Sequence, residues 1–193
     1  MLRLDRRSSY LGKVYSTIDE SVAQFIQAQR VFFVGSAPLD ANGHVNLSPK
    51  GLDTLRILDP STVAYLDLTG SGIETVAHVK ENGRIVLMFC AFEGPPRILR
   101  IHGRGRVVEP QRAEFASLAE HFPKYDVTRA VIVVEVARIS DSCGYAVPLL
   151  KYEGERSQLS AWANKLGPEG LTEYRMKKNQ RSIDGIPGLE KKG

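Results

Sequence analysis

Apolar and polar positions change period often along this chain. Val22, Phe25 and Ile26 recur at helical spacing after Thr17-Ile18-Asp19-Glu20, which has the form of a capping box. A first helix is therefore expected from about Glu20 to Arg30. Short strand-like segments follow in quick succession. Val31–Val34 is apolar, Ala41-Asn42-Gly43 marks a hairpin turn, and Val45-Asn46-Leu47-Ser48 alternates. Thr62–Leu68 reads as a strand after the Asp59-Pro60 turn. Ile85–Phe89 is a continuous apolar run, the pattern of a strand buried on both faces. Ile98–Val108 alternates Arg100, His102, Arg104 and Arg106 against Ile101, Gly103 and Gly105. Glycines inside a strand predict a bent barrel wall or close approach of a ligand. Val131–Val136 supplies one more strand.

Three further helices are expected. Ile73–Asn82 is closed by Gly83, and Gln111–His121 follows Pro110 with Phe115, Leu118, Ala119 and Phe122 on one face. The last runs from about Glu155 to Leu166 and holds the single tryptophan, Trp162. From Gly167 the sequence is polar and reads as a C-terminal arm on a single domain covering residues 1–193. Six or so strands with few helices between them argue against a doubly wound parallel sheet. A closed antiparallel barrel with peripheral helices, a mainly β fold, fits better.

Composition narrows the partners. A net charge of +4 is too small to indicate nucleic acid without a clustered basic face. No apolar stretch reaches the roughly 18 residues of a membrane span. The N-terminal stretch, with Arg3, Arg6 and Arg7, lacks the apolar run of a signal peptide. With only two cysteines, Cys90 and Cys143, a reduced cytoplasmic setting is expected, the thiols serving as small core residues.

The segment richest in chemistry is Asp67-Leu68-Thr69-Gly70-Ser71-Gly72-Ile73-Glu74-Thr75. A strand ends, a loop of small and hydroxyl residues follows, and a helix begins. Free N–H groups at a helix N-terminus attract anions, glycines let a phosphate approach, and Ser71 or Thr75 can donate a hydroxyl. A plain Ser71–Glu74 capping box is the competing reading. A P-loop is excluded, because Ile73 stands where lysine would be needed, and Thr75 occupies the third glycine position of a dinucleotide fingerprint. In Val45–Gly51, Ser48 and Lys50 fall on one side of an extended strand, and lysine is a suitable point charge for phosphate. In the Arg/His row, Arg100 and His102 are the candidates for a ligand side, with Arg104 and Arg106 facing solvent. The histidines show no paired metal-ligand spacing, and no Gly-x-Ser-x-Gly elbow is present.

Taken in order over roughly residues 20–140, these segments resemble the pyridoxamine 5′-phosphate oxidase-like family of FMN-binding split β-barrels. The resemblance implies an antiparallel split barrel and an obligate homodimer with FMN in a cleft between subunits. Ser48, Pro49 and Lys50 would line the flavin, and Thr69 to Thr75 would hold the ribityl phosphate. The cofactor-binding set is then Ser48, Pro49, Lys50, Asp67, Leu68, Thr69, Gly70, Ser71, Gly72, Thr75 and Arg100. Ile73 and Thr75 stand where many relatives carry a basic residue, so Lys50, Arg56 or Arg100 would answer the phosphate charge. The C-terminal Arg-Leu-x-Pro pattern of the true oxidase is replaced by Ser142-Cys143-Gly144-Tyr145-Ala146-Val147-Pro148 and Ser182-Ile183-Asp184-Gly185. The expected activity is oxidoreduction of an unidentified small molecule through FMN, with Tyr145 and Trp162 as candidates to pack on the flavin. The alternatives are a flavin-binding or sensor protein without turnover, or a barrel using deazaflavin or haem.

Overall fold

The computed structural model describes residues 12–190. The N-terminal stretch bearing Arg3, Arg6 and Arg7 lies outside the described residues. The elements run β1 (Val14–Tyr15), α1 (Glu20–Ala28), β2 (Phe32–Ser36), β3 (Asn46–Lys50), β4 (Leu55–Asp59) and β5 (Thr62–Leu68). They continue with α2 (Glu74–Asn82), β6 (Arg84–Cys90), β7 (Ile98–Val108), α3 (Phe115–Ala119), β8 (Thr128–Ser142) and α4 (Gln158–Lys178).

All strand pairs are antiparallel, in the order β3-β2-β6-β7-β8-β5-β4, with β1 on the far end of β8. β3 and β4 are both edges and do not pair with each other, so the barrel is split, as the family resemblance implies, and not fully closed as the strand pattern alone suggests. The long β8 is the spine, paired along its length with β7 and over its first half with β5. The core is lined by Val34, Tyr65, Leu87, Leu99, Ile101 and Ile132, and is covered by Val22 and Ile26 of α1 and Val76 and Val79 of α2. Fully burying each such side chain contributes roughly 1.5–3 kcal/mol.

The strand glycines bend the wall and do not make room for a ligand. A register shift falls between His102 and Gly103, and a Cβ on Gly103 would run into the carbonyl of Glu135 on β8. Ile85–Phe89 is not buried on both faces: Ile85, Leu87 and Phe89 are buried, while Val86 and Met88 are half-exposed on the outer face. The start of α1 also differs from expectation. Its cap is Asp19, whose Oδ1 accepts from Val22 N at 2.8 Å, and Thr17 takes no part. The helix expected at Gln111–His121 shrinks to α3, because residues 109–115 form tight turns. Cys90 is buried as expected, but Cys143 is exposed, and both thiols are free.

The largest departure lies at the C-terminus. Gly167 has non-helical backbone angles, with φ at +67°, so α4 is two helical segments: the first ends by Gly167 as expected, and a second starts at Pro168 and runs to Lys178 with Leu171 buried. The chain then turns back onto the barrel. Leu189 N bonds Asn179 O, Ser182 N bonds Ile186 O, and Lys80 Nζ donates to Gly188 O. The stretch expected as an arm is therefore packed structure. Trp162 stands edge-on to Tyr174 against a small cluster of Val127, Ala163 and Leu171, a packing role.

Candidate functional site

The amphipathicity of β3 is inverted. Register pairs Lys50 with Phe32, Ser48 with Val34 and Asn46 with Ser36, so the polar residues of β3 share the barrel's inner face. Leu47 and Pro49 point outward and are exposed. The inner polar groups form a continuous chain. Ser48 Oγ donates to Asn46 Oδ1 at 3.2 Å, and Asn46 Nδ2 donates to Thr75 Oγ1 at 2.9 Å. Ser36 Oγ lies 3.0 Å from Nδ1 of the buried His78, one turn along α2 from Thr75.

Asp67, fully buried at the end of β5, joins the two sides of the split. Its Oδ1 accepts from Lys50 Nζ at 3.0 Å and its Oδ2 from Arg129 Nε at 2.7 Å. Burial pushes the Asp67 carboxyl pKa up, but Lys50 and Arg129 outweigh it and hold the group below the usual carboxylate range. The Lys50 ammonium remains partly open to solvent, its side chain 18% exposed.

Beyond Asp67 the loop is fixed from behind and open in front. Thr69 Oγ1 donates to Val127 O and accepts from Arg175 Nε at 2.8 Å. Gly70 O accepts from Asn179 Nδ2 at 2.9 Å and from Arg129 Nη1 at 3.3 Å. A Cβ on Gly70 would meet nothing within 4 Å, and Ser71 and Gly72 are exposed. The Ser71–Glu74 capping box does not form. No side chain caps α2, whose N-cap position is Ile73, and Glu74 Oε1 instead accepts from Ile183 N. The first-turn N–H groups of α2 are thus left for another acceptor.

The profile of the pyridoxamine 5′-phosphate oxidase family matches residues 18–143, the whole barrel from α1 to the end of β8. The chain belongs to this family. It is 38% identical over 192 residues to the pyridoxamine 5′-phosphate oxidase family protein ustO of Aspergillus flavus, over 91% of this chain and 77% of that protein. Two crystal structures of HupZ from Group A Streptococcus share the fold at 25% identity, with TM-scores of 0.52 and 0.50. They cover 64% and 63% of this chain and 98% and 91% of theirs.

Within this family fold, Ser48, Lys50, Asp67, Thr69, Gly70 and Thr75 gather at one corner, between β3, the end of β5 and the start of α2. Leu68 is half-buried and packs into neighbouring apolar clusters. Pro49 and Arg100 lie elsewhere: register places them in one row with Phe33 and Met88, on the opposite face of the sheet from Lys50. Arg100 there donates to Ser142 Oγ. Arg56 is held by both carboxylate oxygens of Asp53 and by His121 O.

Several residues of the corner escape sequence reading. Arg129 is the lone cation at the head of the apolar run of β8. Arg175 and Asn179 were hidden because Gly167-Pro168 reads as a helix end. Asn46 carried a signal, as a polar residue alternating in register with Ser48. His44 Nδ1 lies 2.6 Å from Asp184 Oδ1, a pair 140 residues apart that no local pattern could show.

Proposed function

We propose that this chain is an FMN-binding flavoprotein that works as a homodimer and passes hydride or electrons to or from a small molecule. The inverted β3 carries this reading. Polar residues on the inner face of an edge strand suit a ligand, and apolar residues on its outer face suit a second subunit. The corner residues fit the phosphate end of FMN. Uncapped N–H groups at α2, the hydroxyls of Ser71 and Thr75, and the open space at Gly70 offer donors and room. Lys50 adds charge, since its ammonium can donate further bonds beside the one to Asp67. On this reading Asp67 and Arg129 orient Lys50, and Arg175 and Asn179 fix the loop from behind. When bound, the isoalloxazine supplies the redox chemistry. Arg100 and Pro49, on the outer face, are placed to meet a flavin only across a subunit interface.

The absorbance of the purified protein tests this directly. A flavin spectrum is expected, followed by bleaching on anaerobic addition of NADH or NADPH if the protein is a reductase. A deazaflavin or haem spectrum contradicts the assignment. A flavin spectrum that neither nucleotide bleaches favours a carrier or sensor over a nicotinamide-dependent reductase.

A further inference from the structure

A cavity of about 730 Å³ lies between the second half of α4, the returning segment 180–190 and the turn after β7. Nothing from β3 or α2 lines it. Three arginines line it: Arg129, Arg175 and Arg181. We propose that this cavity binds a small organic anion, one carboxylate or phosphate on an apolar body, behind the Thr69–Gly70 loop, sharing Arg129 and Arg175 with the supports of the β3 corner but distinct from the phosphate seat in front of that loop.

The charge balance points to an anion. Glu109 and Glu190 also line the cavity, but each is already answered. Glu109 bonds Lys80, Gln111 and the backbone N–H of Glu190, and Glu190 bonds Arg112 and Gln111. Arg129 shares the single carboxylate of Asp67 with Lys50. Arg175 is half-buried and has no carboxylate partner among the described residues. Its bonds go to Thr69 Oγ1 and to the carbonyls of Asp126 and Thr128. Arg181 likewise bonds only a carbonyl, that of Gly185. Nη1 of Arg175 and Nη2 of Arg129 have no acceptor among the described residues. Burial and the neighbouring Arg129 both press the Arg175 pKa downward, a cost that a bound anion would relieve. Two arginines with free donors suit the forked geometry of a carboxylate or phosphate. Pro110, Met176, Pro187 and Leu189 supply apolar wall, and the volume is that of an ordinary small-molecule site.

Calorimetric titration with phenyl phosphate, benzoate and benzyl alcohol tests the proposal, on protein saturated with FMN and on protein without flavin. Both anions should bind saturably at one per chain in either form, and benzyl alcohol should not. Arg175→Gln should weaken the anions by roughly 10- to 150-fold, the loss of one charge-assisted bond. Because Arg175 also supports Thr69, a second variant separates binding from folding. Met176 is 65% exposed at the cavity, so Met176→Glu should keep the melting temperature and FMN affinity while weakening both anions at least about tenfold. Equal binding of benzyl alcohol, no saturable heat from either anion, or unchanged anion affinity in Met176→Glu would overturn the proposal. Competition between FMN and phenyl phosphate would overturn it too, by making the cavity the flavin's own phosphate seat.

Discussion

Asp67 holds two cations from opposite sides of the split, so its loss should be felt in both folding and binding. Asp67→Asn leaves Arg129 buried without a counter-charge, at a cost of about 3–5 kcal/mol in urea unfolding at neutral pH. The pH dependence has a definite sign. The folded carboxyl pKa lies below its unfolded value of about 3.9. Its contribution is therefore complete above about pH 4 and is lost as pH falls through the folded pKa. Wild type and Asp67→Asn should converge on acidification below pH ~4, and a gap that stays constant there would contradict this account. Lys50 bears on binding. If it answers the phosphate, Lys50→Ala should weaken FMN binding by about 10- to 150-fold and leave riboflavin almost unchanged. The double change Lys177→Ala and Lys178→Ala, at exposed positions, should leave both affinities alone. Equal loss of FMN and riboflavin in Lys50→Ala would move the lysine to the isoalloxazine.

Among the elements, α2 is the hinge between barrel and site, and one of its residues makes stability pH-sensitive in a second window. His78 is buried against Ser36, and its Nε2 has no partner. Burial pushes its pKa below the ordinary value, against the pull of Asp184, Glu74 and Glu81. A depressed histidine pKa means the unfolded chain takes up the proton first. The contribution of neutral His78 is thus present above about pH 6.5 and lost as pH falls toward the folded pKa. Thermal unfolding should weaken as pH falls below about 6.5 in the wild type, and His78→Asn should lack that component. Identical profiles would remove His78 as the cause. Leu171→Ala should cost about 2–5 kcal/mol, the cost of a buried cavity, if the second half of α4 is core; near-zero loss would return it to the status of an arm. These elements also show what the sequence could and could not reveal. Thr62–Leu68 and Ile98–Val108 were legible to the residue because turn signals and alternation bound them. β4 was missed because it is short and shows little contrast between its faces. The Gly-Pro pair does end the first segment of α4; the second segment is not legible because its sequence is largely polar and its buried contacts are long-range. Lys50 and Ser48 could be placed together by strand period. Arg129, Arg175 and Asn179 join them only through long-range packing.

At the scale of the whole molecule, the outer face of β3, β2 and β6 is apolar and partly exposed among the described residues. Leu47 is 64% exposed there, beside Phe33, Val86 and Met88. Light scattering should return about twice the chain's 21.4 kDa, and Leu47→Glu should shift the mass toward one chain. A monomer that still holds flavin would refute the shared cleft. Family membership and fold are set by the barrel, and no helix among the described residues is long and apolar enough to cross a membrane. On the proposed reading, the polar corner between β3 and α2 takes the phosphate of FMN. The most direct measurement is the ratio of FMN to riboflavin affinity, by equilibrium dialysis of the flavin-free protein. Recognition of the phosphate by Lys50, the loop hydroxyls and the α2 N-terminus predicts FMN tighter by at least about tenfold. Equal affinity for FMN and riboflavin would contradict the account, because the corner between β3 and α2 would then hold no phosphate.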